Sequence, residues 1–182
     1  VALGAMTNGL LNSGISSTYI WSLYDQQWPN HISEDINSEF SNGVQVVGYL
    51  PTYLESYTPR APWYSLSLLT RYIGVGKVYS TEKASSNIYI SAIKRSDNNE
   101  FTIIVTNYED VPKSIKVNLD STLNGAKLYR YVYDANAVNP TSAQEMNTYD
   151  STINNVEASF LDLTPAKSVV IYTTESPETF DN

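Results

Sequence analysis

The sequence predicts a mainly β protein, an antiparallel β-sandwich preceded by a helix–strand–helix unit. Three observations predict it. From Lys77 onward, hydrophobicity alternates with a period of two in seven short segments rich in β-branched and aromatic residues. Between these segments stand runs of turn formers, "RSDNNE", "STLNG", "DANAVNP" and "LTPAK". Before Gly76 the period differs, with two helical stretches flanking one mostly apolar strand.

The first element is "VALGAMTNGLLNSG", a helix with Leu3, Met6 and Leu10 on one face, closed by Gly14 where a left-handed residue ends a helix. "STYIWSLYD", residues 17–25, follows as a strand of the type buried on both sides. Residues 30–60 carry Pro, Gly, Asn and Ser punctuation and read as a long loop with a short strand at Val44 to Val47. "APWYSLSLLTRYIG" is a second helix. Pro62 suits its first turn, Trp63, Leu66, Leu69 and Ile73 form the apolar stripe, and Gly74 stops it.

The β segments are "KVYSTEKA", "IYISAIK", "EFTIIVTNYE", "KSIKVNLD", "AKLYRYVYD", "VEASFLDL" and "SVVIYTT". In "SIKVNL", Ile115, Val117 and Leu119 point one way and Lys116 and Asn118 the other; in "FTIIVTN", Phe101, Ile103 and Val105 share a face. Each reads as a half-buried strand. "SDNNE" at 96–100 lacks the spacing of a calcium loop and lies between two strands, so it reads as a hairpin turn. "LYRYVYD" puts Tyr129, Tyr131 and Tyr133 on one strand face. That ladder is either a strip for a ligand or a surface packed on a neighbouring layer. The expected organisation is 1–76 as the helix–strand–helix unit, 77–175 as the sandwich and 176–182 as a linker or frayed tail.

Composition narrows the function classes. The net charge is −8 and the isoelectric point about 4.5. Nucleic acid is therefore not an expected partner, because phosphate contacts need a basic surface. No apolar run approaches the ~20 residues of a membrane helix, so no membrane partner is expected. The absence of cysteine excludes disulfides, thiol catalysis and thiolate metal sites, and no cofactor or metal is expected. Val1 is not an initiator and no signal peptide pattern is visible, so the chain is expected to open at an internal boundary. Charged residues are only 16% while tyrosines number 15, a polar, uncharged, aromatic character common in extracellular carbohydrate-active proteins.

One stretch stands out. In "TYIWSLYDQQWPN" an apolar strand runs directly into Trp21, Tyr24, Asp25, Gln26 and Trp28. It is a sugar-binding strand end, a ligand patch on a binding module, or an aromatic core corner with polar caps. His31, alone in a loop, reads as a solvated residue. Ser22, Asp25 and His31 show no nucleophile-elbow pattern, so a serine hydrolase triad is not expected. A lone helix–strand–helix unit would also leave its buried-type strand with both edges unpaired. It is therefore either an appendage docked on the sandwich or the tail of a larger α/β domain.

The order "YIWSLYD", a long polar loop, "PRAPWYSLSLLTRYIG" and a sandwich opening "KVYSTE" resembles the end of clan A glycoside hydrolases, in particular the β-xylosidase and α-L-iduronidase group. The last barrel helix of that family is matched here at Pro62, Tyr64, Leu66, Leu68 and Leu69. The resemblance implies that residues 1–76 are the remnant of a (β/α)8 barrel, with Trp21 at the end of strand eight facing substrate. Trp21 would stack on a sugar ring, and Asp25, Gln26 and Trp28 would complete the substrate-binding set, with Gln27 beside them. The family's two catalytic glutamates lie on barrel strands four and seven, upstream of Val1, so no catalytic residue is expected in this chain. The implied partners are carbohydrate, bound through the parent enzyme, and the upstream barrel portion; the implied location is extracellular. The alternative reading is a free-standing carbohydrate-binding or adhesion module, and a third is a structural domain without ligand.

Overall fold

A computed structural model of the chain describes residues 1–15, 26–28, 44–46, 61–82, 85–119, 121–135 and 149–177. Helix α1 spans Ala2–Asn12. It ends as its sequence predicts: Gly14 has φ of 75°, the Ile15 amide donates to the Leu10 carbonyl at 3.2 Å and the Gly14 amide to Leu11 at 3.1 Å. Both bonds satisfy carbonyls that the helix end leaves open. Strands β1 (Gln26–Trp28) and β2 (Val44–Val46) pair antiparallel, with Gln26 opposite Val46 and Trp28 opposite Val44. Helix α2 spans Ala61–Ile73. The strand expected at 17–25 lies outside the described residues.

Eight further strands build the sheets: β3 (Gly76–Tyr79), β4 (Ile88–Arg95), β5 (Phe101–Asn107), β6 (Lys113–Asn118), β7 (Leu128–Asp134), β8 (Ser151–Ile153), β9 (Ser159–Thr164) and β10 (Ser168–Thr173). They form a six-stranded antiparallel sheet in the order β3-β4-β5-β10-β7-β8 and a two-stranded sheet, β6-β9. All seven segments read from alternation are strands. The eighth, β8, is three residues long and too short to show a period.

By clustering, the chain forms two compact units, one of Val1–Ser16 with Tyr64–Asn182 and one of Ser17–Trp63. The first holds both larger sheets. Its apolar core lies between them, built from Ile88, Ile103, Val105, Val117, Leu128, Val156, Phe160, Val170 and Tyr172, with Ile115 and Leu119 packed at its margin. This is the sandwich interior that the alternation predicts.

The other face of the large sheet is covered too, which corrects the half-buried reading of "FTIIVTN". Thr102, Ile104 and Thr106 are as buried as Ile103 and Val105, and every residue of β10 is buried. The cause is α1, which packs across β4 and β5, and α2, whose Tyr72 ring lies 4.7 Å from that of Tyr131 on β7. Strand "KSIKVN" is half-buried as read, because nothing described covers its outer face.

Both helices bury a set that differs from the apolar stripe read from the sequence, though Leu69 of α2 belongs to both. In α1 the buried residues are Gly4 and Asn8, while Met6 is 44% exposed. A Cβ on Gly4 would lie 2.5 Å from Val169 Cγ2 and 2.6 Å from Thr106 Oγ1, so only glycine lets the helix approach this closely. In α2 the buried set is Tyr64, Ser65, Leu68, Leu69 and Tyr72, whereas Trp63, Leu66 and Ile73 are half-buried. The tyrosines of β7 select that face, because Tyr72 gains an aromatic partner there.

Candidate functional site

Of the residues that the sequence singles out for sugar contact, Trp21 and Asp25 lie outside the described residues. Gln26 and Trp28 stand in β1, two positions apart, opposite the valines of β2. His31 is also outside the described residues.

The tyrosine ladder resolves into packing. Tyr131 and Tyr133 are buried. Tyr131 stacks on Tyr72, and Tyr149 meets the edges of Tyr129 at 5.2 Å and Tyr131 at 6.4 Å. Burial pushes both phenols above their ordinary range. Tyr131 and Tyr133, so covered, offer no aromatic face to a ligand, and Tyr129 is half-buried.

A cleft of about 430 Å³ has Tyr79, Glu82, Phe101, Ile103, Val117 and Leu119 on its walls, from β3 and β5 of the large sheet and from β6 with its flanks. Its aromatic rings are already engaged. The Lys77 ammonium lies 5.2 Å from the Tyr79 centroid and that of Lys94 5.3 Å from Phe101, while the two rings are 5.9 Å apart. The hairpin at 96–100 forms as read. Asn99 takes φ of 61°, the Glu100 amide donates to Asn98 Oδ1 at 3.0 Å, and Asp97 accepts from Arg95. Among the described residues no group of His, Asp and Glu is arranged to hold a metal ion, and no described helix is long and apolar enough to cross a membrane.

Two buried ionic clusters escaped sequence reading. Between the sheets, Arg130 on β7 donates through Nε to Asp162 Oδ2 at 2.9 Å and through Nη1 to Asp150, and the Tyr172 hydroxyl donates to Asp162. Burial and that bond to Asp162 hold the Tyr172 phenol well above its ordinary range. At the end of β10, Glu175 is 2% exposed and accepts from Arg95 Nη1 at 2.7 Å and Asn98 Nδ2 at 3.2 Å. A signal for the first cluster was present in "SFLDLT": Asp162 shares the strand face of Phe160, leaving Leu161 and Leu163 exposed at 72% and 61%.

No protein-family model matches the sequence, and no curated protein matches it. Solved structures do match in fold. A family 30 endoxylanase from Clostridium papyrosolvens superposes with a TM-score of 0.53 at 21% identity, over 65% of this chain and 28% of that one. A family 30 subfamily 8 xylanase from Clostridium acetobutylicum gives 0.52 at 21% identity, over 69% and 30%. An arabinose-bound family 51 α-L-arabinofuranosidase gives 0.52 at 15% identity, over 70% and 21%. The chain shares a fold with clan A glycoside hydrolases. It spans less than a third of the length of each of these hydrolases.

Proposed function

We propose that this chain is the C-terminal, non-catalytic portion of a secreted glycoside hydrolase that acts on plant-type or other polysaccharide. The observation that carries the reading is the fold match to two xylanases over about two thirds of this chain but less than a third of theirs. Retaining glycoside hydrolysis needs two carboxyl groups about 5–5.5 Å apart, one to protonate the leaving oxygen and one to attack the anomeric carbon. The sequence resemblance assigns both to barrel strands upstream of Val1. Residues 1–76 then supply the last strand and helix of that barrel. Trp21 offers its indole face to the C–H face of a sugar, Asp25 and Gln26 bind its hydroxyls, and Trp28 extends the aromatic surface. The partners are carbohydrate and the upstream barrel. The sandwich has a structural role, since its tyrosine ladder and cleft aromatics are engaged by other side chains.

The test is a paired assay on xylan and a panel of aryl glycosides. One sample is the 182-residue chain; the other is the protein extended upstream in its own reading frame. The chain alone is expected to show no turnover above a blank and the extended protein to show clear turnover. Turnover by the chain alone, abolished by replacing an acid within it, would overturn the reading.

A further inference from the structure

The two layers of the sandwich are unequal. Six strands face two, and β9 lies against β7 and β10, where Asp162 meets Arg130 and the Phe160 ring lies 4.9 Å from that of Tyr172. The cleft lies on the other side of β6. Lys116, Val117, Asn118 and Leu119 form one wall of it, β9 contributes no residue, and β3, β4 and β5 form the wall opposite. Ile90 and Ala92 of β4 are only half-buried in it, whereas Ser91, on the strand's other face, is fully buried against Asn8 of α1. The wall from β6 is a strand edge. The Leu119 amide donates straight across to the Ala158 carbonyl at 2.8 Å. Bonds of an antiparallel pair alternate along the register, so Ser114, Lys116 and Asn118 turn their backbone N–H and C=O groups away from β9. Among the described residues β6 has no second neighbour. Such a row of open donors and acceptors is a template for one more strand.

The charge beside this edge selects what fits it. The chain is acidic, with a net charge of −8, yet Lys77 and Lys94 stand directly opposite each other on β3 and β4, and Lys116 lines the cleft from β6. Like charges in facing positions destabilise a sheet. Among the described residues no ion pair includes any of the three, and Glu82 is the one acid on the cleft walls. Lys77 and Lys94 rest instead on the rings of Tyr79 and Phe101, which closes those ring faces to a sugar.

We propose that the open edge of β6 and the cleft beside it are a docking slot for an extended acidic segment of another polypeptide. The segment adds to β6 as a third strand of the small sheet, its main chain bonding to Ser114, Lys116 and Asn118. Its inward side chains are apolar and rest on Ile90 and Ala92. Its carboxylates meet Lys116 on the outer face, and Lys77 and Lys94 at the end of the slot. A second copy of this chain does not fit, because an added β6 would bring its own Lys113 and Lys116 to the same lysines. The slot does not depend on the hydrolase reading.

The test uses the full 182-residue chain and two labelled peptide probes with blocked ends, one alternating glutamate with valine and one alternating lysine with valine. Fluorescence anisotropy reads binding and amide hydrogen exchange reads its place. The acidic probe is expected to bind and the basic probe to stay free. With the acidic probe alone, the amides of Ser114, Lys116 and Asn118 should become protected, a measurement that needs no variant. Raising the salt from about 50 to about 500 mM should weaken binding about tenfold or more. Lys77→Gln combined with Lys94→Gln should weaken it about 5- to 30-fold, at a Tm no lower than wild type because a like-charge pair is removed. Equal binding of the two probes, no binding of either, protection only away from β6, or undiminished affinity in the double variant would overturn the slot. So would sedimentation that shows the chain pairing with itself under protection of these three amides. Protection of the same amides without peptide in the protein extended upstream would also overturn it, since the slot would then be filled by the protein's own chain.

Discussion

Asn8 carries more of the helix–sheet contact than any leucine of α1. Its side chain is fully buried. Nδ2 donates to Thr106 Oγ1 at 3.0 Å and to the Tyr89 carbonyl at 3.3 Å, while Oδ1 accepts from the Ser91 hydroxyl. One turn earlier, Gly4 lets the helix descend onto Val169 and Thr106. Asn8→Ala should cost about 1–3 kcal/mol, because the Ser91 and Thr106 hydroxyls would stay buried without that partner. Urea unfolding with an unchanged slope measures it, and an unchanged midpoint would remove Asn8 from the contact. The sequence conceals this pair for a physical reason. Helical pattern reading follows apolar residues, and here the face is set by a small residue and a carboxamide spaced four apart. The same limit hid Glu175, a charged residue in a polar tail, whose burial depends on Arg95 eighty positions away.

At the scale of elements, β7 and β9 are joined across the core by charge. Arg130 is 8% exposed and satisfied by Asp162, Asp150 and the Leu163 carbonyl. Removing Asp162 leaves Arg130 Nε and the buried Tyr172 hydroxyl without their acceptor while Asp150 still holds Nη1, so Asp162→Ala should destabilise by about 1–3 kcal/mol. Replacing the pair together, Arg130→Met with Asp162→Leu, should recover most of that loss. Chemical denaturation of the single and double variants checks both; equal losses would show that the pair does not act as a unit. Strand positions were legible from alternation because pleat and period coincide. What lies on each face was less so. In β9 the exposed Leu161 and Leu163 outnumber the inward Phe160 in apolar residues, and only the position of Arg130 explains why Asp162 faces in. Likewise, the double burial of β5 and β10 depends on helices far away in the chain.

At the scale of the whole molecule, helices α1 and α2 cover one face of a six-stranded sheet and a two-stranded sheet covers part of the other. The sandwich, and its likeness in fold to clan A hydrolases, were legible in the order of helix and strand segments. The proposed division of labour, with sugar contact at residues 21–28 and support from the sandwich, is tested most directly by two variants of the extended protein measured side by side. Trp21→Ala should lower kcat/KM by about 10- to 100-fold, the equivalent of ~1–3 kcal/mol of lost stacking, with little change in Tm. Tyr131→Ala should leave kcat/KM of the folded fraction near wild type. It should lower Tm sharply, because Tyr131 is 1% exposed and truncating a buried aromatic costs roughly 3–5 kcal/mol. If instead Trp21→Ala melts the protein while kcat/KM of the folded fraction is unchanged, "YIWSLYDQQW" is a core corner and the substrate-binding assignment is contradicted.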